Sequence, residues 1–99
     1  MGNRSFRKLR VPNHVIVLIR NLHPHLKRKN GASLETILAD PYSGKALKAE
    51  LSGLWSFRVG RFRIIYRISI RQVELVAIGP RERIYQETFQ LISKQGGGE

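Results

Sequence analysis

The feature that most constrains the fold is a stretch of alternating apolar and cationic residues between Leu54 and Tyr85. Its first part predicts a half-buried strand, because successive side chains of a strand point to opposite faces of a sheet. The apolar side holds Trp55, Phe57 and Val59, and the polar side holds Ser56 and Arg58. Gly60 and Arg61 then predict a tight reversal of the chain.

Two further strands follow that reversal. The second strand again separates two faces, with Phe62, Ile64, Tyr66, Ile68 and Ile70 on one and Arg61, Arg63, Ile65, Arg67 and Arg71 on the other. Residues Val73 to Ile78 are apolar on both faces, which is typical of a central strand. The three strands predict an antiparallel meander with one cationic face, and such a face suits a polyanion better than a small apolar ligand.

The remainder of the chain predicts helices around this meander. Residues 5–11 form a short strand with Leu9 and Val11 on one face, and two helices follow, before and after His23-Pro24. The second runs to Asp40-Pro41 as one helix despite Asn30-Gly31, and so short a link predicts a helical hairpin. Residues 45–52 read as a basic connector. A last helix spans 84–93, with Tyr85, Phe89 and Ile92 on one side, before a flexible tail at 95–99.

These elements predict an α+β fold for a single domain covering residues 1–99, since 99 residues supply one hydrophobic core and not two. Lysine and arginine total 18 against 7 acidic residues, a net charge of +11. That excess attracts nucleic acid, an anionic membrane or an acidic protein, or it serves only to solvate the surface.

The sequence excludes cysteine chemistry and contains no apolar run long enough to span a membrane. The chain has no cysteine, which excludes a disulfide framework, a thiolate metal site and a cysteine nucleophile. The apolar run from Val15 to Ile19 is far shorter than the ~20 residues that span a bilayer. We therefore expect a cytoplasmic protein without a membrane partner.

The strongest candidate site is a cluster of Arg58, Arg63 and Arg81 with Tyr85. Strand alternation places Arg58 and Arg63 on the same face across a hairpin, and Arg81 follows the third strand. Guanidinium groups match phosphate bidentately and stabilise the charge that develops on it. The alternative interpretation is that these arginines only keep an exposed sheet face soluble.

No obvious general base accompanies the arginines, because a guanidinium does not release its proton at neutral pH. Tyr85 is a candidate acid or base if nearby arginines lower its pKa, and a core aromatic otherwise. Glu82 is a second candidate base or a surface partner of an arginine. Trp55 either stacks on a nucleobase or belongs to the core. The histidines, His14, His23 and His25, lack the spacing of a metal site, so we expect no metal and no cofactor.

The segments from Leu47 to Gly60, Arg63 to Tyr66 and Gly79 to Tyr85 resemble the RelE/ParE superfamily of bacterial and archaeal toxins. The order of strand, two helices, three-stranded meander and terminal helix is also similar. The resemblance covers roughly residues 5–92. It implies the toxin of a type II toxin-antitoxin pair, held inactive by a cognate antitoxin.

For RelE-like members the resemblance implies an endoribonuclease that cuts mRNA in the ribosomal A site without a metal. The ribose 2′-hydroxyl attacks the adjacent phosphate, giving a cyclic phosphate and a free 5′-hydroxyl. On this mapping Arg63 and Arg81 stabilise the scissile phosphate, and Arg58 stabilises the developing charge or the leaving oxygen. Further RNA contacts are expected from Lys45, Lys48, Arg61 and Arg83.

The chain departs from the RelE pattern at two positions. Ser56 stands where strong ribonucleases of the family carry a second basic residue, and Tyr85 lies slightly closer to Arg81 than their functional tyrosine. ParE-like members share the fold, lack this catalytic set and inhibit DNA gyrase. A gyrase inhibitor, or a weak member that acts mainly by binding its antitoxin, is therefore the alternative to a ribonuclease.

Overall fold

The computed structural model describes residues 7–96. It contains five strands and three helices, with short 3-10 turns at Pro41–Ser43 and Ala49–Leu51. In chain order the elements are β1 (Lys8–Arg10), α1 (Asn13–Arg20), α2 (Pro24–Ala39), β2 (Lys45–Ala46), β3 (Leu54–Val59), β4 (Phe62–Ile68), β5 (Gln72–Pro80) and α3 (Arg81–Gly96). The predicted α+β class is confirmed, and the predicted elements occur in the predicted order with β2 added between α2 and β3.

All five strands belong to one sheet, in the order β1-β5-β4-β3-β2. The antiparallel neighbours β3, β4 and β5 are the predicted meander. The meander is extended on both sides, by β1 lying parallel to β5 and by β2 lying antiparallel to β3. The prediction of a plain connector over residues 45–52 was wrong, because Lys45 and Ala46 pair with β3. Of the strand predicted at 5–11, residues 5 and 6 lie outside the described part of the chain.

Helices α1 and α2 cover one face of the sheet. The core between them and the sheet is built on Val15, Ile37, Val59, Ile64, Tyr66, Val73, Leu75 and Ile78. Leu9 and Val11 pack against the same core, as predicted. Helix α2 is continuous through Asn30, which is buried, and Gly31, which is exposed.

Helix α3 covers the opposite face, over a second core of Leu54, Ile65, Val76, Ala77 and Ile84. A β-bulge opposite Ile65 and Tyr66 leaves Val76 unpaired with β4 and turns it toward this core. The helix begins at Arg81, three residues before the predicted start, directly after Pro80. It continues to Gly96, so its last turn overlaps the predicted tail, whose residues 97–99 lie outside the described chain.

Two apolar residues were assigned to the wrong environment. Phe89 was predicted on the packed side of α3 and is instead exposed. The helix packs through a face rotated away from it, made of Ile84, Tyr85, Thr88, Leu91 and Ile92. Ile70 was predicted on the apolar face of the second meander strand, but β4 ends at Ile68 and Ile70 is exposed in the turn that follows.

Candidate functional site

Arg58 and Arg63 lie directly opposite each other across the β3–β4 hairpin. Both side chains belong to the face covered by α3, because their strand neighbours Val59 and Ile64 pack into the other core. Arg58 is exposed, and its Nε donates a 3.4 Å hydrogen bond to the carbonyl of Gly60. Like charges directly opposite on a sheet are destabilising unless an anion lies between them.

The third predicted arginine, Arg81, lies at the same end of the sheet. Its backbone N–H donates a 2.9 Å hydrogen bond to the carbonyl of Arg61, which ties the start of α3 to the β3–β4 turn. That turn is tight because Gly60 has a φ of +61°, in the left-handed region that favours glycine. The backbone therefore places Arg58, Arg63 and Arg81 at the same end of the sheet.

Within residues 7–94, Arg58, Arg63 and Arg81 form no ion pair. The cations that do pair with carboxylates are others, namely Arg10 and Arg67 with Glu74 and Arg83 with Glu87. Three arginines at one end of a sheet without a carboxylate partner leave positive charge available to an external anion.

Tyr85 lies one helical turn after Arg81 and is half-buried. Its hydroxyl is 3.1 Å from Oγ of Ser56, and either oxygen can donate the hydrogen bond. Ser56 is only 1% exposed. The sequence predicted only that Ser56 replaces a basic residue of the family, and it did not predict this hydrogen bond. Strand alternation does place Ser56 on the same face as Arg58.

Two of the predicted RNA-binding lysines line a groove that Tyr85 also lines. The groove has a volume of about 350 Å³ and is lined by Lys45, Ala46, Leu47, Lys48, Leu51 and Tyr85. Lys45 lies opposite Ser56 in the β2–β3 ladder, so β2 carries it to the face of the arginines. The groove is thus apolar at its floor and cationic at its rim, a surface that suits an extended anionic chain.

The other predicted contacts are placed differently. Arg61 is exposed in the turn beside the arginines. Arg83 is exposed on α3, where its Nε lies 3.9 Å from the carboxylate of Glu87 one turn later. Glu82, the second candidate base, is exposed in the first turn of α3. Arg61 therefore extends the arginine cluster, whereas Arg83 has a carboxylate neighbour of its own.

The remaining candidates have structural roles. Trp55 is half-buried at the edge of the core and makes an edge-to-face contact with Tyr42, their ring centroids 5.2 Å apart. Nε2 of His14 lies 2.8 Å from the carbonyl of Val76, and Nδ1 of His23 accepts from the backbone N–H of His25 at the start of α2. In the described part of the chain no helix is long and apolar enough to cross a bilayer.

A family model decides the relationship. Residues 19–85, which include every residue of the arginine cluster and Tyr85, match the model of the ParE toxin of type II toxin-antitoxin systems. The chain belongs to this family. It is therefore a toxin of the RelE/ParE superfamily. The prediction of a type II toxin with a cognate antitoxin is confirmed.

Solved structures share the fold of this toxin. The toxin-antitoxin complex RelBE2 from Mycobacterium tuberculosis contains a chain matched with a TM-score of 0.66 at 24% identity, over 82% of this toxin and 98% of that chain. The archaeal RelE-RelB complex from Pyrococcus horikoshii OT3 gives a TM-score of 0.67 at 18% identity, over 80% and 99%.

A third similar structure is a double arginine-to-alanine mutant of the E. coli toxin RelE in the free state. It matches with a TM-score of 0.74 at 14% identity, over 92% of this toxin and 98% of that chain. A comparison with curated proteins finds no significant match. The solved structures thus establish the RelE-like fold.

Proposed function

We propose that this toxin is an endoribonuclease that cleaves mRNA in the ribosomal A site by attack of a ribose 2′-hydroxyl on the adjacent phosphate. The observation that carries the proposal is the opposition of Arg58 and Arg63 across the β3–β4 hairpin, with Arg81 tied to the same turn. Like charges directly opposite each other destabilise a sheet. Such unfavourable arrangements are typical of functional sites.

The arginines supply the charge stabilisation that this reaction requires. As the 2′-oxygen attacks, negative charge accumulates on the phosphate oxygens and then on the departing 5′-oxygen. Arg63 and Arg81 would hold the scissile phosphate, and Arg58 would face the leaving oxygen, each as a charged hydrogen-bond donor. Lys45 and Lys48, on the rim of the groove that Tyr85 also lines, would contact the RNA chain beside the cut.

Proton transfer falls to Tyr85 or Glu82. The hydroxyl of Tyr85 is held 3.1 Å from Oγ of Ser56, on the face of the arginines. Glu82 lies in the same helical turn as Arg81. The two candidates are distinguished by Tyr85→Phe and Glu82→Gln, since each variant removes one of the two groups and leaves the other in place.

The test is expression of Arg81→Ala beside Arg28→Ala. Both variants remove one exposed positive charge, but Arg28 belongs to α2, on the opposite side of the sheet. We expect wild type and Arg28→Ala to stop growth and to leave mRNA cut, with cyclic phosphate ends, at sites mapped by primer extension. Loss of one stabilising donor should lower the cleavage rate of Arg81→Ala by about 10²- to 10³-fold. Full growth arrest and full cleavage with Arg81→Ala would refute the assignment.

The second candidate function is inhibition of DNA gyrase. Two observations favour it: the matching family model is that of ParE, and buried Ser56 supplies no second cation beside Arg58. Purified gyrase distinguishes the candidates. If the toxin blocks supercoiling while translation in a cell extract continues, the ribonuclease proposal fails. A wild-type toxin that leaves both growth and translation untouched would instead indicate a weak member that acts by binding its antitoxin.

A further inference from the structure

The turn between β4 and β5 presents an aliphatic side chain to solvent. Ile70 is 89% exposed, more than any other large apolar residue described. The turn is closed at its base by the backbone N–H of Ser69, which donates a 2.9 Å hydrogen bond to the carbonyl of Gln72. Ile70 is thus held at the tip of an ordered hairpin turn.

A second exposed apolar residue is connected to this turn through Arg7. Nε of Arg7 donates a 2.7 Å hydrogen bond to the carbonyl of Ser69, and its guanidinium carbon lies 5.8 Å from the centre of the Tyr42 ring. Tyr42 is 57% exposed and rests against the edge of Trp55. We call the resulting surface the Ile70 surface; its members are Arg7, Lys8, Tyr42, Ile70 and Arg71.

The Ile70 surface is cationic as well as apolar. A cavity of about 530 Å³ beside the turn is lined by Lys8, Ile70, Arg71 and Gln72. Lys8 and Arg71 form no ion pair within residues 7–94. Of the neighbouring carboxylates, Glu74 is shared between Arg10 and Arg67. Asp40 accepts a hydrogen bond from the backbone N–H of Tyr42.

The Ile70 surface is separated from the arginine cluster by the length of β4. The arginines surround the β3–β4 turn before Phe62, and Ile70 follows the other end of the strand at Ile68. Seven residues of strand at ~3.3 Å each put roughly 20 Å between the two turns. A molecule bound at the Ile70 surface alone would leave the arginine cluster open.

We propose that the Ile70 surface is a docking site for the antitoxin, through a segment that offers an apolar pocket rimmed by carboxylates. Burial of an aliphatic side chain against apolar groups is favourable. A phosphate backbone offers no such apolar groups. Tyrosine and arginine, which lie beside Ile70, are enriched at protein–protein interfaces. The proposal rests on the membership of the toxin family and does not depend on RNA cleavage.

The experiment titrates the purified antitoxin encoded beside the toxin gene into toxin variants and measures the dissociation constant. Ile70→Ser and Arg71→Glu change the surface at exposed positions, so the fold is kept. Val17→Ser, at an apolar residue of α1 that is 53% exposed, and Arg28→Glu on α2 are the matched controls. We expect the dissociation constant to rise about ten- to a hundredfold for each surface variant. For the controls we expect less than about a threefold change.

Hydrogen exchange of the complex gives an independent measurement. Residues 68–72 should gain protection when the antitoxin binds, and that gain should disappear with Ile70→Ser. Unchanged dissociation constants for both surface variants, or no added protection at 68–72, would overturn the proposal. So would a variant that binds the antitoxin normally but loses affinity for a 2′-O-methylated RNA oligonucleotide, since the surface would then belong to a nucleic-acid contact.

Discussion

At the scale of single residues, the packing around Tyr66 determines where β2 can form. The Tyr66 hydroxyl donates a 2.6 Å hydrogen bond to the carbonyl of Pro41 from inside the core. Gly44 passes so close that a Cβ there would collide with the Tyr66 hydroxyl and lie 2.8 Å from the carbonyl oxygen of Ser56. This close approach lets the chain enter β2 and carry Lys45 to the face of the arginines.

Gly44→Ala should therefore destabilise the toxin by about 2 to 4 kcal/mol, because the added methyl meets backbone and a buried ring that cannot yield. Gly31→Ala is the matched control. No atom lies within 4 Å of a Cβ at Gly31, which sits in α2, so alanine should stabilise the helix by about 1 kcal/mol. Urea unfolding of both variants measures the difference. Equal stabilities would contradict the packing described for Tyr66.

The ionisation of Tyr66 gives a prediction in alkaline solution. Burial raises the pKa of the Tyr66 phenol from 10.0 to about 12, opposed by the backbone N–H of Gly44 and reinforced slightly by Asp40. Since the folded pKa exceeds the unfolded one, the stabilisation is complete below pH ~10 and is lost as the pH rises toward ~12. The loss amounts to about 2 to 3 kcal/mol. Between about pH 9 and 11.5 the free energy of unfolding, measured with urea, should fall less steeply for Tyr66→Phe than for wild type. Parallel curves for the two proteins would contradict the raised pKa of Tyr66.

At the scale of elements, the sequence predicted what depends on local pattern. The alternation of Trp55, Phe57 and Val59 identified β3, and the helical spacing of apolar residues identified α2 despite Asn30-Gly31. β2 was not predicted because two residues are too few to show the alternation of apolar and polar side chains that identifies a strand. The strand lies where the Tyr66 hydrogen bond to Pro41 holds the chain beside β3.

The pairing of β1 with β5 shows why the neighbours of a strand in a sheet are hard to predict from sequence. β1 joins the sheet beside β5, more than sixty residues later, and its Arg10 lies opposite Glu74. Glu74 also bonds Arg67 on β4, so one carboxylate connects three strands on the α3 face. Alternation predicted the face of Arg67, whose partner Glu74 lies opposite it in the β4–β5 ladder. The pairing of Arg10 with Glu74 could not be predicted in this way, because it depends on β1 lying parallel to β5.

At the scale of the whole molecule, the net charge of +11 is unevenly compensated. Glu74 and Glu87 neutralise arginines in the middle and on the flank of the sheet, whereas the arginine cluster at one end and Lys8 with Arg71 at the other have no ion pair within residues 7–94. Two of the uncompensated groups thus lie at the proposed contacts with RNA and with the antitoxin, while Lys27, Arg28 and Lys29 of α2 also form no ion pair within residues 7–94.

The RNA contact should depend steeply on salt, because binding releases the counterions of the phosphates that the cations neutralise. If about six phosphates are contacted, affinity for a single-stranded 2′-O-methylated RNA should fall by about 10²- to 10³-fold between about 50 and 200 mM salt. Arg81→Ala should reduce the slope of log affinity against log salt by about one unit. Fluorescence anisotropy measures both quantities. A flat salt dependence would exclude the arginine cluster as an RNA site.

The sequence by itself determined the meander, the three helices, the shared face of Arg58 and Arg63 and, through its motifs, the toxin family. These follow from periodicity and neighbouring residues, which local physics fixes. Only the tertiary structure decided the hydrogen bond from Tyr85 to Ser56, the strand that carries Lys45, the tie between Arg81 and the β3–β4 turn, and the exposure of Ile70. Each of these requires residues distant in sequence to meet, and such meetings depend on how whole layers pack.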